Sequence, residues 1–271
     1  MLKQRFITAA ILVPLVVVSI LYIPHLVFSL VLAVFISVAA WEWCKFTEQQ
    51  HKFQNIIYVL FTILIITLLY YYRETFIANS VIFLGVAWWL CATVLIIAYQ
   101  KELNLIPSIN IIKSLIGLLI LLPAWMSLIV LHASVDGPHF VLLLFILIWI
   151  ADTSAYFIGR RFGSRKLASK TSPGKSWEGV LGALIITSIT SIIYGVIQTQ
   201  YATSVILMLC IVTVMFSIIG DLTESMFKRN VGIKDSGIIF PGHGGVLDRI
   251  DSMTAAAPVF VTGLWLIQGK L

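Results

Sequence analysis

Apolar residues come in long runs along this chain, divided by short polar interruptions, and the runs have the length that a bilayer demands. A helix needs about 17–25 mostly apolar residues to cross a hydrocarbon core of roughly 30 Å. Nine stretches approach that length: 7–22, 26–43, 56–71, 76–99, 111–131, 140–158, 179–197, 204–227 and 255–267. The first and last are short. Only Ile23-Pro24-His25 separates the first two, so that pair reads as a tight hairpin or a re-entrant segment. Backbone polar groups in lipid must be satisfied within their own segment, which predicts helices. The expected fold is all-α: a polytopic integral membrane protein of about nine transmembrane helices with a cytoplasmic N-terminus.

Composition agrees, at 60 % hydrophobic and 11 % charged residues, with a mean hydropathy of +1.02. Lys3-Gln4-Arg5 ahead of an apolar run imitates a signal peptide, yet no small-x-small cleavage pattern ends that run and another follows at once. Nine crossings from a cytoplasmic start place Lys3, Arg5, Lys45, Lys52, Lys101 and loops 159–176 and 228–252 inside, with Lys113 snorkelling to the same side. Only Arg73 and Lys270 fall outside, as the positive-inside rule expects. The formal charge of +6 thus belongs to loops beside an anionic leaflet and does not point to nucleic acid. Cys44, Cys91 and Cys210 stand singly and read as packing residues.

The chain divides by chemistry near Phe140. Residues 1–139 carry about five spans with interface aromatics (Trp41, Trp43, Tyr70, Tyr71, Tyr72, Trp88, Trp89), read as belt residues. Glu42 reads as a snorkelling surface carboxylate. Residues 140–271 form the catalytic region with its two cytoplasmic loops. Asp152, Thr153 and Tyr156 lie on the sixth span, and an acid there carries an insertion cost of about 2.5–3.5 kcal/mol, which argues for function. Gly159 to Ser176 holds six cations and no acid. Its Gly174-Lys175-Ser176 end imitates a P-loop, but Ser169 occupies the position of the first glycine and no strand precedes it. Lys175 remains a candidate contact for a polyphosphate or lipid phosphate.

The eighth run ends in Asp221, Glu224, Ser225 and Lys228, spaced to share one helical face. A structural salt-bridge stripe is the plain alternative, with Glu224 and Lys228 as its i, i+4 pair. Beyond it come Arg229, Lys234, Asp235, Pro241-Gly242-His243-Gly244-Gly245, Asp248, Arg249 and Asp251. Asp221, Asp248 and Asp251 are hard oxygen ligands suited to Mg²⁺, which takes one or two carboxylates plus substrate phosphates. Zinc is disfavoured, because no cysteine accompanies His243. Lys228, Arg229, Lys234 and Arg249 match phosphate oxygens. The glycines allow close backbone approach and positive φ, and Asp251 or Ser252 is equally a cap for the last helix. Such a set at a membrane edge suits phosphoryl or nucleotidyl transfer on a lipid.

The run from Ser225 to Asp251 resembles the full signature of the phosphatidate cytidylyltransferases: Ser225, Lys228, Arg229, Lys234, Asp235, His243, Gly244, Gly245, Asp248, Arg249 and Asp251. The stretches from Asp152 to Tyr156 and from Ser172 to Gly179 are similar to that family as well. The resemblance implies transfer of the cytidylyl group of CTP to phosphatidic acid, giving CDP-diacylglycerol and pyrophosphate in phospholipid biosynthesis. It implies Mg²⁺, a second monovalent cation such as K⁺, a bacterial plasma membrane and a homodimer. By carry-over, Asp221 and Asp248 are metal ligands supported by Asp251 and Glu224. Lys228, Arg229, Lys234 and Arg249 hold phosphates, while Asp235 and His243 shape the loop or touch the nucleotide. A transporter with Asp152 and Asp221 as ion sites is the rival reading, although no inverted repeat is visible. The D-G-x-x-A-R pattern of phosphoalcohol transferases is absent.

Overall fold

The computed structural model describes residues 13–47, 51–198, 200–239 and 244–269. The opening of the first run, Lys3, Arg5, Lys270 and His243 lie outside the described residues. The helices run α1 (Val13–Tyr22), α2 (His25–Trp43), α3 (Lys52–Tyr71), α4 (Phe76–Gln100), α5 (Asn110–Ala133), α6 (Gly137–Phe162), α7 (Trp177–Ile197), α8 (Thr203–Asn230) and α9 (Leu247–Gln268). Among the described residues the eight from α2 to α9 are long and apolar enough to cross a membrane. The expected all-α polytopic fold stands, with one addition: loop 159–176 folds into an antiparallel hairpin, β1 (Lys166–Ala168) on β2 (Ser172–Ser176).

One boundary differs with consequence. The last helix begins at Leu247 instead of near residue 255, so Asp248, Arg249, Asp251 and Ser252 belong to its first two turns and not to a loop. Asp251 therefore does not cap the helix; its Oδ1 accepts from the adjacent Ser252 N–H at 2.7 Å. Apolarity marks where lipid begins, and a helix continues beyond it into a polar, protein-lined site.

α5 is the central pillar: 78 % of its most apolar stretch is buried within the protein, against 17 % for the peripheral α3. Three buried tryptophans brace the neighbours. Trp43 of α2 donates its indole N–H to the Lys113 carbonyl at 2.9 Å, passing over Gly117, where any side chain would overlap the ring. Trp125 of α5 donates back to Ser29 O of α2 at 3.3 Å. Trp89 of α4 donates to Thr254 O of α9 at 3.1 Å. That carbonyl would otherwise be orphaned, because its helical donor would come from Pro258, which has no N–H.

Trp43 and Trp89 are thus core braces and not belt residues, whereas Trp41, Tyr71 and Tyr72 are exposed as a belt requires. Lys113 is buried instead of snorkelling, and Glu42 is only 2 % exposed, against the expectation of a surface carboxylate. Cys44 and Cys210 are buried and Cys91 is exposed, all three as free thiols.

Trp89→Phe should keep an aromatic ring in place yet strand the Thr254 carbonyl in the core, at a cost of about 1–3 kcal/mol. Thermal unfolding in detergent should show a lowered midpoint. An unchanged midpoint would mean that Pro258 is accommodated in another way.

Candidate active site

α8 and α9 carry the site, and Gly220 sets their spacing. A Cβ at that position would overlap the Asp251 carbonyl, so only glycine allows the two backbones to meet there. The acids of α8, Asp221 and Glu224, are thereby laid beside Asp248 and Asp251 of α9. The predicted stripe on α8 is real. Lys228 lies 3.1 Å from Glu224 Oε1 on its own helix and donates to Asp248 Oδ1 at 2.6 Å across to α9. All three side chains are at most 9 % exposed.

A buried ion pair stands only when the remaining lone pairs are also satisfied. Asp248 meets that condition: its Oδ2 accepts from Ser236 N at 2.8 Å, Ser236 Oγ at 2.9 Å and Gly245 N at 2.8 Å. Gly244 supplies the turn with φ of +83°. Glu224 does not meet it. Both of its buried oxygens lack a hydrogen-bond partner, Lys228 being near but poorly aligned.

The hairpin delivers a second cation. Lys175 on β2 pairs with Asp221 Oδ2 at 2.5 Å, and Ser225 Oγ donates to Asp221 Oδ1 at 3.3 Å. Arg229 at the end of α8 holds the hairpin in place, donating to Thr171 O at 3.2 Å and to Ile233 O at 3.1 Å. Gln100 at the end of α4 braces the same corner through Thr171 Oγ1 and the Lys170 N–H, both at 3.2 Å. Lys170 also pairs with Glu102 at 2.8 Å, holding that exposed carboxyl below the usual carboxylate range.

Asp152 of α6 joins from a third direction. It lines a cavity of about 390 Å³ together with Asp248, Arg249 and Asp251, and the other walls of that cavity are mostly apolar side chains of α1, α2, α5 and α6. Lys234 and Asp235 are exposed on the loop between α8 and α9. The structure therefore gathers Asp152, Lys175, Asp221, Glu224, Ser225, Lys228, Gly244, Gly245, Asp248, Arg249 and Asp251. It gives Arg229 a bracing position and Lys228 the place of a buried counter-ion. Gly245 needs its missing side chain to clear Glu42, not a ligand. Glu42, Lys45 and Ser236 were not anticipated here. A carboxylate one residue inside an apolar run, followed at i+3 by Lys45, is all the sequence showed of them, and it reads equally well as a snorkelling surface pair.

A model of the Cytidylyltransferase family matches residues 3–267. The chain belongs to the cytidylyltransferase family. It is 40 % identical over 267 residues to the phosphatidate cytidylyltransferase of Pseudomonas aeruginosa, covering 98 % of this chain and 97 % of that one. It is 37 % identical to the phosphatidate cytidylyltransferase of Haemophilus influenzae, covering 96 % of this chain and 97 % of that one. The protein of the same name from Staphylococcus saprophyticus is 42 % identical over 134 residues, 49 % of this chain and 51 % of that one. This cytidylyltransferase is an enzyme, a nucleotidyltransferase, and the transporter reading falls away.

The donor set of the cytidylyltransferase site fits a hard divalent ion. Asp152, Asp221, Glu224, Asp248 and Asp251 stand with Lys175, Lys228 and Arg249, so the acids exceed the cations, and the Glu224 oxygens have no hydrogen-bond partner. Among the described residues no three such side chains form a ready-made metal cluster.

Asp221→Asn and Asp248→Asn should each lower kcat by about a hundredfold or more while the protein remains folded, as expected when charge at a reacting centre is removed. Steady-state kinetics beside a thermal melt make the check. Loss of folding in both variants would make the acids structural.

Proposed function

We propose that this enzyme transfers the cytidylyl group of CTP to phosphatidic acid at the cytoplasmic face of the membrane, giving CDP-diacylglycerol and pyrophosphate for phospholipid synthesis. One observation carries the reading: a mixed-charge site at the helix ends opens into an apolar cavity between the spans. A lipid phosphate has the matching shape, with a charged head and oily chains. The names of the full-length relatives agree with it. The cytoplasmic assignment rests on Lys45, Lys52, Lys101, Arg160, Arg161, Arg165, Lys166, Lys170 and Lys234, all at the end of the bundle that carries the site, against Arg73 at the other. A bacterial plasma membrane is the setting that the relatives' organisms suggest.

In the reaction a phosphate oxygen of the acceptor attacks the α-phosphorus of CTP, and the bond to the β-phosphate oxygen breaks with release of pyrophosphate. The attacking oxygen is already ionised, so no protein base is required. Arg249 and Lys234 meet incoming phosphates. Lys175 rests on Asp221, where an incoming phosphate can draw on it, while Lys228 stays as the buried counter-ion of Glu224 and Asp248. Asp221 and Asp248, with Glu224 and Asp251 beside them, would hold Mg²⁺, which supplies charge neutralisation and Lewis-acid polarisation of the phosphates. The apolar cavity keeps the acyl chains aligned and water away from the reacting phosphates.

Purified enzyme given labelled CTP, phosphatidic acid and Mg²⁺ should form CDP-diacylglycerol. Chelation by EDTA should stop the reaction and added Mg²⁺ restore it. Absence of product under every metal and lipid condition, from folded protein, would refute the proposal. Lys234→Ala should raise the KM for CTP by about tenfold, the loss of one charged contact of roughly 1.4 kcal/mol; an unchanged KM would take Lys234 away from the nucleotide.

A further inference from the structure

The helix that supplies Asp248 begins without a side-chain cap of its own. Its first N–H groups are orphan donors carrying the positive end of the helix dipole. Glu42, at the far end of α2, satisfies two of them from across the bundle. Its Oε1 accepts from Val246 N at 3.1 Å and its Oε2 from Leu247 N at 2.8 Å. Oε2 also lies 3.0 Å from Ser236 Oγ, the hydroxyl that reaches Asp248 Oδ2 at 2.9 Å. That hydroxyl has one proton to serve two carboxylates, so it ties the position of one to the other.

Glu42 itself has no freedom. Trp43 next to it is bound to α5 through Lys113 O and lies 5.0 Å, ring to ring, from Phe227, the residue before Lys228. Lys45 donates to Ser236 O at 2.5 Å. A Cβ on Gly237 or Gly245 would overlap the Glu42 carboxylate, so both glycines make room for it.

We infer that Glu42 is a positioning residue for nucleotidyl transfer: with Ser236 it holds the start of α9 and the carboxylate of Asp248 in reacting geometry, although it touches neither substrate nor reacting atoms. The inference rests on the assignment of Asp248 to the reaction. It gives the N-terminal spans a part in catalysis beyond enclosing the site.

The test is steady-state kinetics on Glu42→Gln, Ser236→Ala and the double variant, with Asp248→Asn as control and a thermal melt of each. Glu42→Gln keeps volume and one acceptor oxygen. Its kcat should fall about tenfold or more with KM for CTP within about threefold, the mark of an interaction that matters in the transition state. Ser236→Ala should do the same in protein that remains folded, and the double variant should be no slower than the slower single one, since both act through one contact. Wild-type kcat in Glu42→Gln, or a loss confined to KM, would overturn the inference. If Glu42→Gln fails to fold, Ser236→Ala decides: an unchanged kcat overturns the inference and a folded, slowed enzyme supports it. A fully active Asp248→Asn would instead sink the reading of the site itself.

Discussion

A lysine held between two carboxylates at the edge of the membrane organises this protein. Lys228 joins Glu224 on its own helix to Asp248 on the next. Such a triad is expensive to bury and is tolerable only where the geometry is good and the other lone pairs are met. The surrounding structure supplies those conditions. Gly220 brings α8 and α9 together, Gly244 turns the chain, and Ser236 and Gly245 complete the shell of Asp248. Within the triad, Glu224 keeps two oxygens without a hydrogen-bond partner, an exception that calls for a reason.

The site is built from distant parts of the chain for a physical reason. A helix crossing lipid meets its backbone needs internally, except at its ends. The ends of α2, α4, α6, α8 and the starts of α5, α7 and α9 gather on one side, so their unmet donors and acceptors become each other's partners. Arg229 closes on the hairpin, Gln100 braces it, Lys175 reaches Asp221, and Glu42 receives α9. The charged chemistry and the closure of the bundle share the same residues.

Much of this was legible in the sequence. Run lengths predicted the spans, because bilayer thickness is a strong constraint. The spacing of Asp221, Glu224, Ser225 and Lys228 predicted their common face, because the helical period dictates it. Asp152 stood out as an acid within an apolar run, and it lines a cavity together with Asp248, Arg249 and Asp251. What escaped was long-range. Hydropathy alone started α9 eight residues late, since Asp248 to Ser252 look like loop when their partners are unknown. Trp43 and Trp89 resemble belt residues until Lys113 O and Thr254 O are found beside them. Glu42 carried the same ambiguity: nothing local tells a carboxylate that snorkels from one that receives a helix two hundred residues on.

The claim on which the account rests is that Lys228 neutralises buried acids and so holds α8 to α9. Lys228→Met keeps the aliphatic stem and removes the charge, and its thermal unfolding midpoint should be measured beside its CTP turnover. The account predicts a loss of about 3–5 kcal/mol, the cost of uncompensated buried charge, with turnover falling in the protein that remains folded. A variant as stable and as active as the parent would contradict it.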